Sequence, residues 1–220
     1  NNNLTFGGTA AGHGLTLNGT MDLGGATRTL TVTSPQVTTT IGGVISNGGI
    51  NKAGEGILIL GNAANTYAGV TTVSGGLLKQ GAAGAIPATT ALTVNCNGAL
   101  DLNSFDLTVA SLASESSTLG GMITNSANTA RTLTVGDATD TNFGGVITDA
   151  RNATNTASAI NFVKQGTGTL TMGGPNSYSG STTITAGSIK TAANNVIPDS
   201  SVVTLNPTGA TASLTLNGFN

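Results

Sequence analysis

Charged and aromatic residues are scarce in this chain of 220 residues. Lys, Arg, Asp and Glu make up 7% of the sequence and aromatic residues 3%, whereas an average soluble domain is roughly one quarter charged. The seven Lys and Arg residues form no cluster that could neutralise nucleic-acid phosphates, so we expect no nucleic-acid partner. Because strong helix formers such as Lys, Glu and Arg are few, we also expect almost no α-helix.

Long apolar runs and paired cysteines are missing as well. No run approaches the ~20 apolar residues that span a bilayer, so we expect no direct insertion into a membrane. Cys96 is the single cysteine, and its alternating sequence context predicts a buried, inert thiol. His13 is the single histidine and lies between glycines, where a loop residue is expected rather than a catalytic triad member or a metal ligand. The first residues, three asparagines, do not resemble a signal peptide, which suggests an excised or processed segment.

The residues that are abundant suit β-strands. Glycine supplies 33 residues and apolar residues supply 38% of the chain, and Val, Ile and Leu alternate with Thr over short stretches. This alternation is typical of pleated, half-buried strands. The apolar content is enough for a core, so a disordered chain is not expected.

A long internal repeat organises the sequence. Lys52–Gly61 returns as Lys164–Gly173, and Asn65–Gly69 returns as Asn176–Gly180, at an offset of 111 to 112 residues. Upstream the offset is only 102 to 103 residues, so about nine residues are inserted in the second copy, most naturally at 149–156. We therefore predict a single continuous segment over residues 1–220. Its copies span about 50–149 and 162–220, the second is incomplete, and 1–49 resembles the end of a preceding copy.

Differences between the copies indicate which side chains face the core. In one strand, two positions keep apolar residues while the two positions between them change from Ile to Thr. Because neighbouring residues of a strand point to opposite faces, the kept positions are predicted to face inward. The kept pairs are Leu58 and Leu60 with Leu170 and Met172, and the changed pairs are Ile57 and Ile59 with Thr169 and Thr171. The same logic predicts that Leu30, Val32, Val73, Leu78, Leu92 and Val94 face inward, with their counterparts Leu133, Val135, Ile184, Ile189, Val203 and Leu205.

Two architectures fit short alternating strands separated by Gly, Asn and Asp turns. An antiparallel sandwich explains the alternation, but a parallel solenoid also explains a long repeat without linkers, because each coil buries its face on the next. We predict an all-β fold, a right-handed parallel β-helix without significant α-helix. At roughly 20–25 residues per coil the chain would form about nine or ten coils, a rod about 45 Å long at the usual strand spacing.

With these residues laid out, the chain resembles the autotransporter-associated β-strand repeat, also called the passenger-associated transport repeat. The shared signature is a G-x-G-x-L-x-L strand, N-x-Y-x-G, a T-T-[VI] strand and [IV]-P. Both copies carry it, from Gly54 to Pro87 and from Gly166 to Pro198. The resemblance implies a right-handed parallel β-helix exported to the bacterial cell surface. It does not specify an activity, because such repeats usually form a stalk.

Candidate catalytic and metal-binding residues are few. Asp137 and Asp140 are the best carboxylate pair for glycoside hydrolysis, and together with Asn142 they loosely resemble a calcium loop. A solvated turn explains this segment better. We therefore predict no catalytic residue, no cofactor and no metal site.

Tyr67 and Tyr178 occupy the same repeat position and support two interpretations. They could lie along one side of the rod as surface contacts on which a ligand stacks. Alternatively, each ring could cap a turn and pack over the adjacent glycine, which is the interpretation we favour.

These observations favour an extracellular, non-catalytic structural or adhesive rod, either a cell-surface stalk or a filament subunit that assembles end to end. The alternative is a β-helix protein that binds or degrades polysaccharides. Expected partners are a second copy stacked head to tail or further repeats of a longer chain, and also surface glycans or proteins of a host or neighbouring cell. The predicted end-to-end contacts are Leu4, Phe6, Leu216 and Phe219.

Overall fold

A computed structural model of the chain describes residues 3–8, 14–149 and 158–218, and each regular element within these ranges is a β-strand. His13, Phe219 and residues 150–156 of the predicted insertion lie outside the described residues. No helix in the described ranges is long and apolar enough to cross a membrane.

The strands are short and are separated by turns rich in Gly and Asn. The first eleven are β1 (Leu4–Phe6), β2 (Gly14–Leu17), β3 (Met21–Val32), β4 (Thr38–Ile41), β5 (Ile45–Ala53), β6 (Ile57–Leu60), β7 (Thr71–Val73), β8 (Gly76–Gln80), β9 (Ala91–Val94), β10 (Gly98–Asp101) and β11 (Leu107–Val109). The others are β12 (Ser111–Ala113), β13 (Met122–Thr124), β14 (Arg131–Val135), β15 (Thr141–Phe143), β16 (Val146–Ile147), β17 (Ile160–Lys164), β18 (Thr169–Met172), β19 (Thr182–Ile184), β20 (Gly187–Thr191), β21 (Val203–Leu205) and β22 (Ala212–Thr215).

The strands form four sheets in which the paired strands run parallel. Sheet A has the order β1-β3-β5-β7-β9-β12, sheet B the order β2-β4-β6-β8-β10-β13-β16, sheet C the order β11-β14-β17-β19-β21, and sheet D the order β15-β18-β20-β22. Neighbours within a sheet come from successive coils, so the chain winds as a β-solenoid of about nine turns. The predicted all-β, parallel solenoid is confirmed, and its right hand stays a prediction.

The core is a set of apolar columns that run along the axis. Leu58 and Leu60 are fully buried, as are Leu170 and Met172 of the second copy, while the residues between them are half-buried on the outer face. The predicted strand parity is therefore confirmed. Leu205 follows Ile184 in its inward column, yet it is 51% exposed because no further strand of the described chain lies over it.

Equivalent strands of the two repeat copies lie on neighbouring sides of the solenoid rather than on the same side. The central coils have three strands each, β11-β12-β13 and β14-β15-β16. There β15 of sheet D follows β12 of sheet A on the same side, since the Ser114 N–H donates to the Asn142 carbonyl at 3.0 Å and the Gly144 N–H to Ser114 Oγ at 2.8 Å. The side that carries the first strand of each coil in copy one thus carries the second strand in copy two. The repeat length is not a whole number of coils.

The inward column predicts a large difference between neighbouring positions of β18. Leu170→Asp would bury an unpaired charge and should lower the free energy of unfolding by roughly 3–5 kcal/mol. Thr171→Asp lies on the outer face beside Lys190 and should change it by less than about 1 kcal/mol. Urea unfolding followed by far-UV circular dichroism measures both. Equal losses in the two variants would contradict the assigned register.

Candidate functional site

The repeated N-x-Y-x-G segment (residues 65–69 and 176–180) forms a hydrogen-bonded clip between coils. Asn65 Oδ1 accepts from the Ile45 N–H at 2.8 Å, and its Nδ2 donates to the Ala85 carbonyl at 2.8 Å. Asn176 makes the same two contacts, to Ile147 at 2.7 Å and to Val196 at 2.6 Å. Each asparagine therefore joins its own coil to the coil before and the coil after. The motif requires an amide because one side chain must accept and donate at the same place.

Tyr67 and Tyr178 are both fully buried, so the alternative interpretation, in which they are surface contacts for a ligand, is wrong. The Tyr67 hydroxyl lies 3.1 Å from Thr71 Oγ1, and the Tyr178 hydroxyl lies 2.7 Å from Thr182 Oγ1. Burial raises the pKa of both phenols. The two rings also lie on different sides of the solenoid. Ser177, next to Tyr178, forms a β-bridge with Thr148 beyond the end of sheet B. The N–H of Thr66, next to Tyr67, donates to the Ile45 carbonyl at the start of β5, which belongs to sheet A.

The glycine that closes the clip is required by close backbone contact. A Cβ at Gly180 would collide with the Ile160 carbonyl oxygen, and one at Gly69 would lie 2.7 Å from the carbonyl oxygen of Gly48. Both positions are too close to the backbone for a side chain. The tyrosine ring fills the space inside the turn while the glycine lets the preceding coil approach.

Two buried lysines, at the ends of β5 and β17, hold the turn that follows each of these strands. Lys52 Nζ donates to the carbonyl oxygens of Ala53, Gly54 and Gly75 at 2.8–3.0 Å, and the side chain is fully buried. Lys164, its counterpart, donates to Gln165 at 2.6 Å and Gly166 at 3.0 Å, with Ala186 at 3.4 Å. Each ammonium thus joins the corners of two successive coils.

Burial is the main influence on the pKa of both amines, and nearby carboxylates oppose it at Lys164. Burial lowers the pKa of Lys52 to about 8, and it lowers the pKa of Lys164 against the opposing charges of Asp137 and Asp140. At neutral pH Lys52 is therefore mainly protonated and keeps its three carbonyl contacts. Sequence reasoning missed this corner. The available signal was a lysine at the same repeat position in a chain with only seven Lys and Arg residues.

Asp137 and Asp140 shape a turn rather than an acid–base pair. Asp137 Oδ1 accepts from the Thr139 N–H at 2.6 Å, and Asp140 Oδ1 accepts from the Thr169 N–H of the next coil at 2.7 Å. Asp140 is exposed and Asp137 is half-buried. Within the described ranges, no three His, Cys, Asp or Glu side chains lie close enough together to hold a metal ion.

Cys96 is exposed, so the predicted burial of its thiol is wrong. It lies in the turn before β10 rather than in a strand, and its N–H donates to Glu115 Oε2 at 3.1 Å. The Glu115 carboxylate, through a hydrogen bond to the thiol, raises the pKa of Cys96. The group is therefore held in its less reactive protonated form.

The outer face of sheet B carries a continuous apolar column, here called the apolar stripe. Its members are half-buried, they pair in successive strands, and they are Ile57, Leu77, Ala99, Met122 and Val146. A shallow hollow of about 470 Å³ lies over its second half, lined by Gly98, Ala99, Gly120, Met122 and Val146 among others. The outer face of sheet C differs, with Thr108, Thr134, Thr183 and Thr204 in one column around Val163.

The predicted end contacts lie at the two ends of the stacked coils. Leu4 is 37% exposed and Leu216 is 48% exposed, while Phe6 is buried beside Val32. Phe219 lies outside the described residues. The role of these residues in an end-to-end contact stays a prediction.

Residues 50–79 and 162–190 match the passenger-associated-transport-repeat family. The chain is also 39% identical over 166 residues to the "Adhesin BmaC autotransporter" of Brucella suis biovar 1 (strain 1330). That match covers 74% of this chain but 4% of the relative, so the chain spans a small part of that protein's length. No solved structure shows a significant match to the chain.

The buried amine of Lys52 predicts a pH dependence of stability. Its pKa is about 8 in the folded chain and 10.5 in a model peptide, so between these values the unfolded chain binds more protons. The free energy of unfolding should therefore rise with pH from 8 to 10, by an amount on the order of 2 kcal/mol. This contribution is the difference between the free energies of unfolding of wild type and Lys52→Met, measured by urea unfolding at each pH in this range.

Lys79→Met, which removes a partly exposed amine, is the matched control for this pH series. A pH slope that changes in Lys52→Met but not in Lys79→Met would assign the effect to the corner around Lys52. The pKa of Lys52 can also be followed directly through its 13Cε chemical shift. An ordinary lysine pKa in the folded chain would contradict the prediction.

Proposed function

We propose that this chain, which belongs to the passenger-associated-transport-repeat family of autotransporter passengers, is a segment of a non-catalytic adhesive rod at the bacterial cell surface. The observation that carries the proposal is the ladder of about nine turns, in which the inward side chains are used for packing and inter-coil hydrogen bonds. Such a ladder makes a stiff, extended support with long outer faces. Weak contacts repeated along these faces would add up through multivalency.

The relative's description as an adhesin supports the adhesive part of this proposal. The non-catalytic part is supported by the contacts of the aspartates, since the carboxylates that a hydrolase would need are engaged elsewhere. Asp137 and Asp140 are committed to turn and strand-edge N–H groups, and Asp101 is buried against Ser126 and Lys79. Glycan or protein ligands would then bind the outer faces without being cleaved.

Adhesion and catalysis can be separated with the purified chain. Beads coated with it should attach to a cultured epithelial layer, whereas beads coated with the heat-denatured chain should not. A panel of polysaccharides and chromogenic glycosides should remain intact on incubation with the same preparation. Turnover that disappears in Asp137→Asn or Asp140→Asn would refute the non-catalytic rod and favour the polysaccharide-degrading alternative.

We further propose that the end coils are covered by another coil, belonging either to the same polypeptide or to a second copy stacked head to tail. The support is the exposure of inward-column residues at one end, Val203 at 39% and Leu205 at 51%, and of Leu4 at the other. Such side chains would be buried by a further coil. The pairing would continue the parallel ladder without closing it.

Electron microscopy and light scattering of the 220-residue chain distinguish the two sources of this coil. Head-to-tail stacking of separate copies predicts fibres that disappear when residues 1–6 are deleted, because β1 then no longer offers its edge. Short rods that do not lengthen at high concentration would refute stacking between copies. That result would leave further coils of a longer polypeptide as the cover.

A further inference from the structure

We propose that a second copy of this chain stacks on the C-terminal end of the first in one defined register, which repeats the packing of β12 and β13 on β9 and β10 inside the chain. The contact rests on the proposed covering of the end coils, and it specifies which strands form the cover. In this register β2 and the first residues of β3 of the second copy lie over β21 and β22. Each copy is then turned about the axis by one side relative to the copy before it.

Exposed apolar side chains are concentrated at the two ends that this contact joins. Eight large apolar side chains are exposed within the described residues, and six of them lie in the first two strands or from the residue before β21 onward. They are Leu4 and Leu15 at one end and Val202, Val203, Leu205 and Leu216 at the other. The ends thus carry most of the large apolar side chains that the single chain leaves uncovered, and such surfaces mark contacts with a partner.

The C-terminal end presents the same surface as a coil that is covered inside the chain. β21 occupies the repeat position of β9 and β22 that of β10, because both pairs follow equivalent strands in equivalent register. Val203 and Leu205 correspond to Leu92 and Val94, which are fully buried. Inside the chain the cover is supplied by β12, in which Leu112 pairs with Leu92.

The N-terminal end begins with the equivalent of β11. β1 pairs with β3 in the register in which β11 pairs with β14. The residue before each of these first strands also makes the same contact. Asn3 Oδ1 accepts from the Thr29 N–H at 3.0 Å, and Asp106 Oδ1 accepts from the Thr132 N–H at 2.8 Å.

The next strand, β2, is the equivalent of the covering strand β12. In the first copy the Gly42 N–H donates to the Leu17 carbonyl at 2.8 Å. In the second copy the matching Gly144 N–H donates to Ser114 Oγ at 2.8 Å. Leu17 and Ser114 therefore correspond, and Leu15, two residues earlier, takes the inward position of β12.

The first residues of β3 correspond to β13 in the same way. Met21 pairs with Ile45, and Ile123 pairs with Ile147. Ile45 and Ile147 are equivalent, because their N–H groups bind the two clip asparagines. Since Ile123 pairs with Leu100 of β10, Met21 of a second copy is placed over the equivalent inward residue of β22.

Joining the two ends in this register buries side chains that the single chain exposes. Leu15, which is 43% exposed, comes to lie over Val203 of the first copy, and Leu17 comes to lie over Leu205. The edge N–H and carbonyl groups of β21 are paired at the same time, because β2 continues the parallel ladder of sheet C. The outer ends of the pair stay open, so further copies can add.

The register also fixes the rotation between copies. In its own copy β2 belongs to sheet B, whereas the strand that it covers, β21, belongs to sheet C. The second copy is therefore turned by one of the three sides of the solenoid, and the fourth copy faces the same way as the first. With about nine turns in each copy, an outer face recurs in the same direction about every 130 Å.

The mass of the purified chain over a concentration series tests the contact. Sedimentation velocity of wild type should show species that lengthen as the concentration rises. Leu15→Ser should raise the dissociation constant of the contact by roughly thirtyfold, because one leucine is no longer buried there. Leu119→Ser removes a similarly exposed leucine of the central coils and should leave this constant unchanged.

Both leucines are exposed in the single chain, so both variants should fold, which far-UV circular dichroism checks. A monomer at every concentration, or an unchanged dissociation constant in the folded Leu15→Ser variant, would overturn the proposal. Absence of association would also refute stacking between copies in general. Adhesion is measured by attachment, so it stands or fails separately.

Cross-linking between copies tests the register. In a Cys96→Ser background, chains with Thr16→Cys and chains with Thr204→Cys are mixed and treated with a short bis-maleimide. Both positions are exposed, and they are neighbours in the proposed register because the equivalent Ala113 and Thr93 pair. Cross-links are expected in the mixture and in neither chain type alone.

The other two rotations predict different cross-links. Without rotation, β1 would lie over β22, and Thr5→Cys would link to Thr215→Cys. With rotation by the other side, β2 would lie over β22, and Thr16→Cys would link to Thr215→Cys. Either link in place of the expected one would overturn the register and leave head-to-tail stacking itself intact.

Discussion

The ladder of backbone hydrogen bonds between successive coils is the constraint on which the rest of the structure depends. Each coil satisfies its strand N–H and carbonyl groups only through the coils before and after it, because the neighbours in every sheet come from different turns. Buried backbone groups cannot be left unpaired at acceptable cost. The pairing between neighbouring coils therefore sets the register of each strand, and every side chain on the inside must accept a neighbour about 4.8 Å away.

This constraint explains which polar side chains the interior tolerates. The corners of the coils leave carbonyl and N–H groups that no strand partner reaches. Asn65 satisfies one such donor and one such acceptor at once, and Lys52 collects three carbonyl oxygens. Buried amides and an ammonium are thus retained because they complete the ladder where it bends, which is consistent with the low charge of the passenger-associated transport repeats in this chain.

The outer faces are free of this constraint and can diverge. The same strand carries Ile57 in one copy and Thr169 in the other, with the inward residues unchanged in character. Function in such a rod is therefore expected on the outside, where substitution costs little stability. Equivalent strands of the two copies also lie on different sides of the solenoid, so corresponding outer positions face different directions and can serve different contacts.

Strand parity and the solenoid were determined by the sequence itself, because a period of two residues and a long repeat are visible without coordinates. Leu58 and Leu170 were correctly placed in the core for this reason. The burial of Tyr67, the exposure of Cys96 and the carbonyl corner around Lys52 were decided only by the tertiary structure. Each depends on which groups the adjacent coil brings close, and that follows from the summed lengths of many turns. The summed turn lengths also determine on which side of the solenoid each strand of a repeat lies. The apolar stripe on sheet B could therefore be recognised only after the strands were stacked.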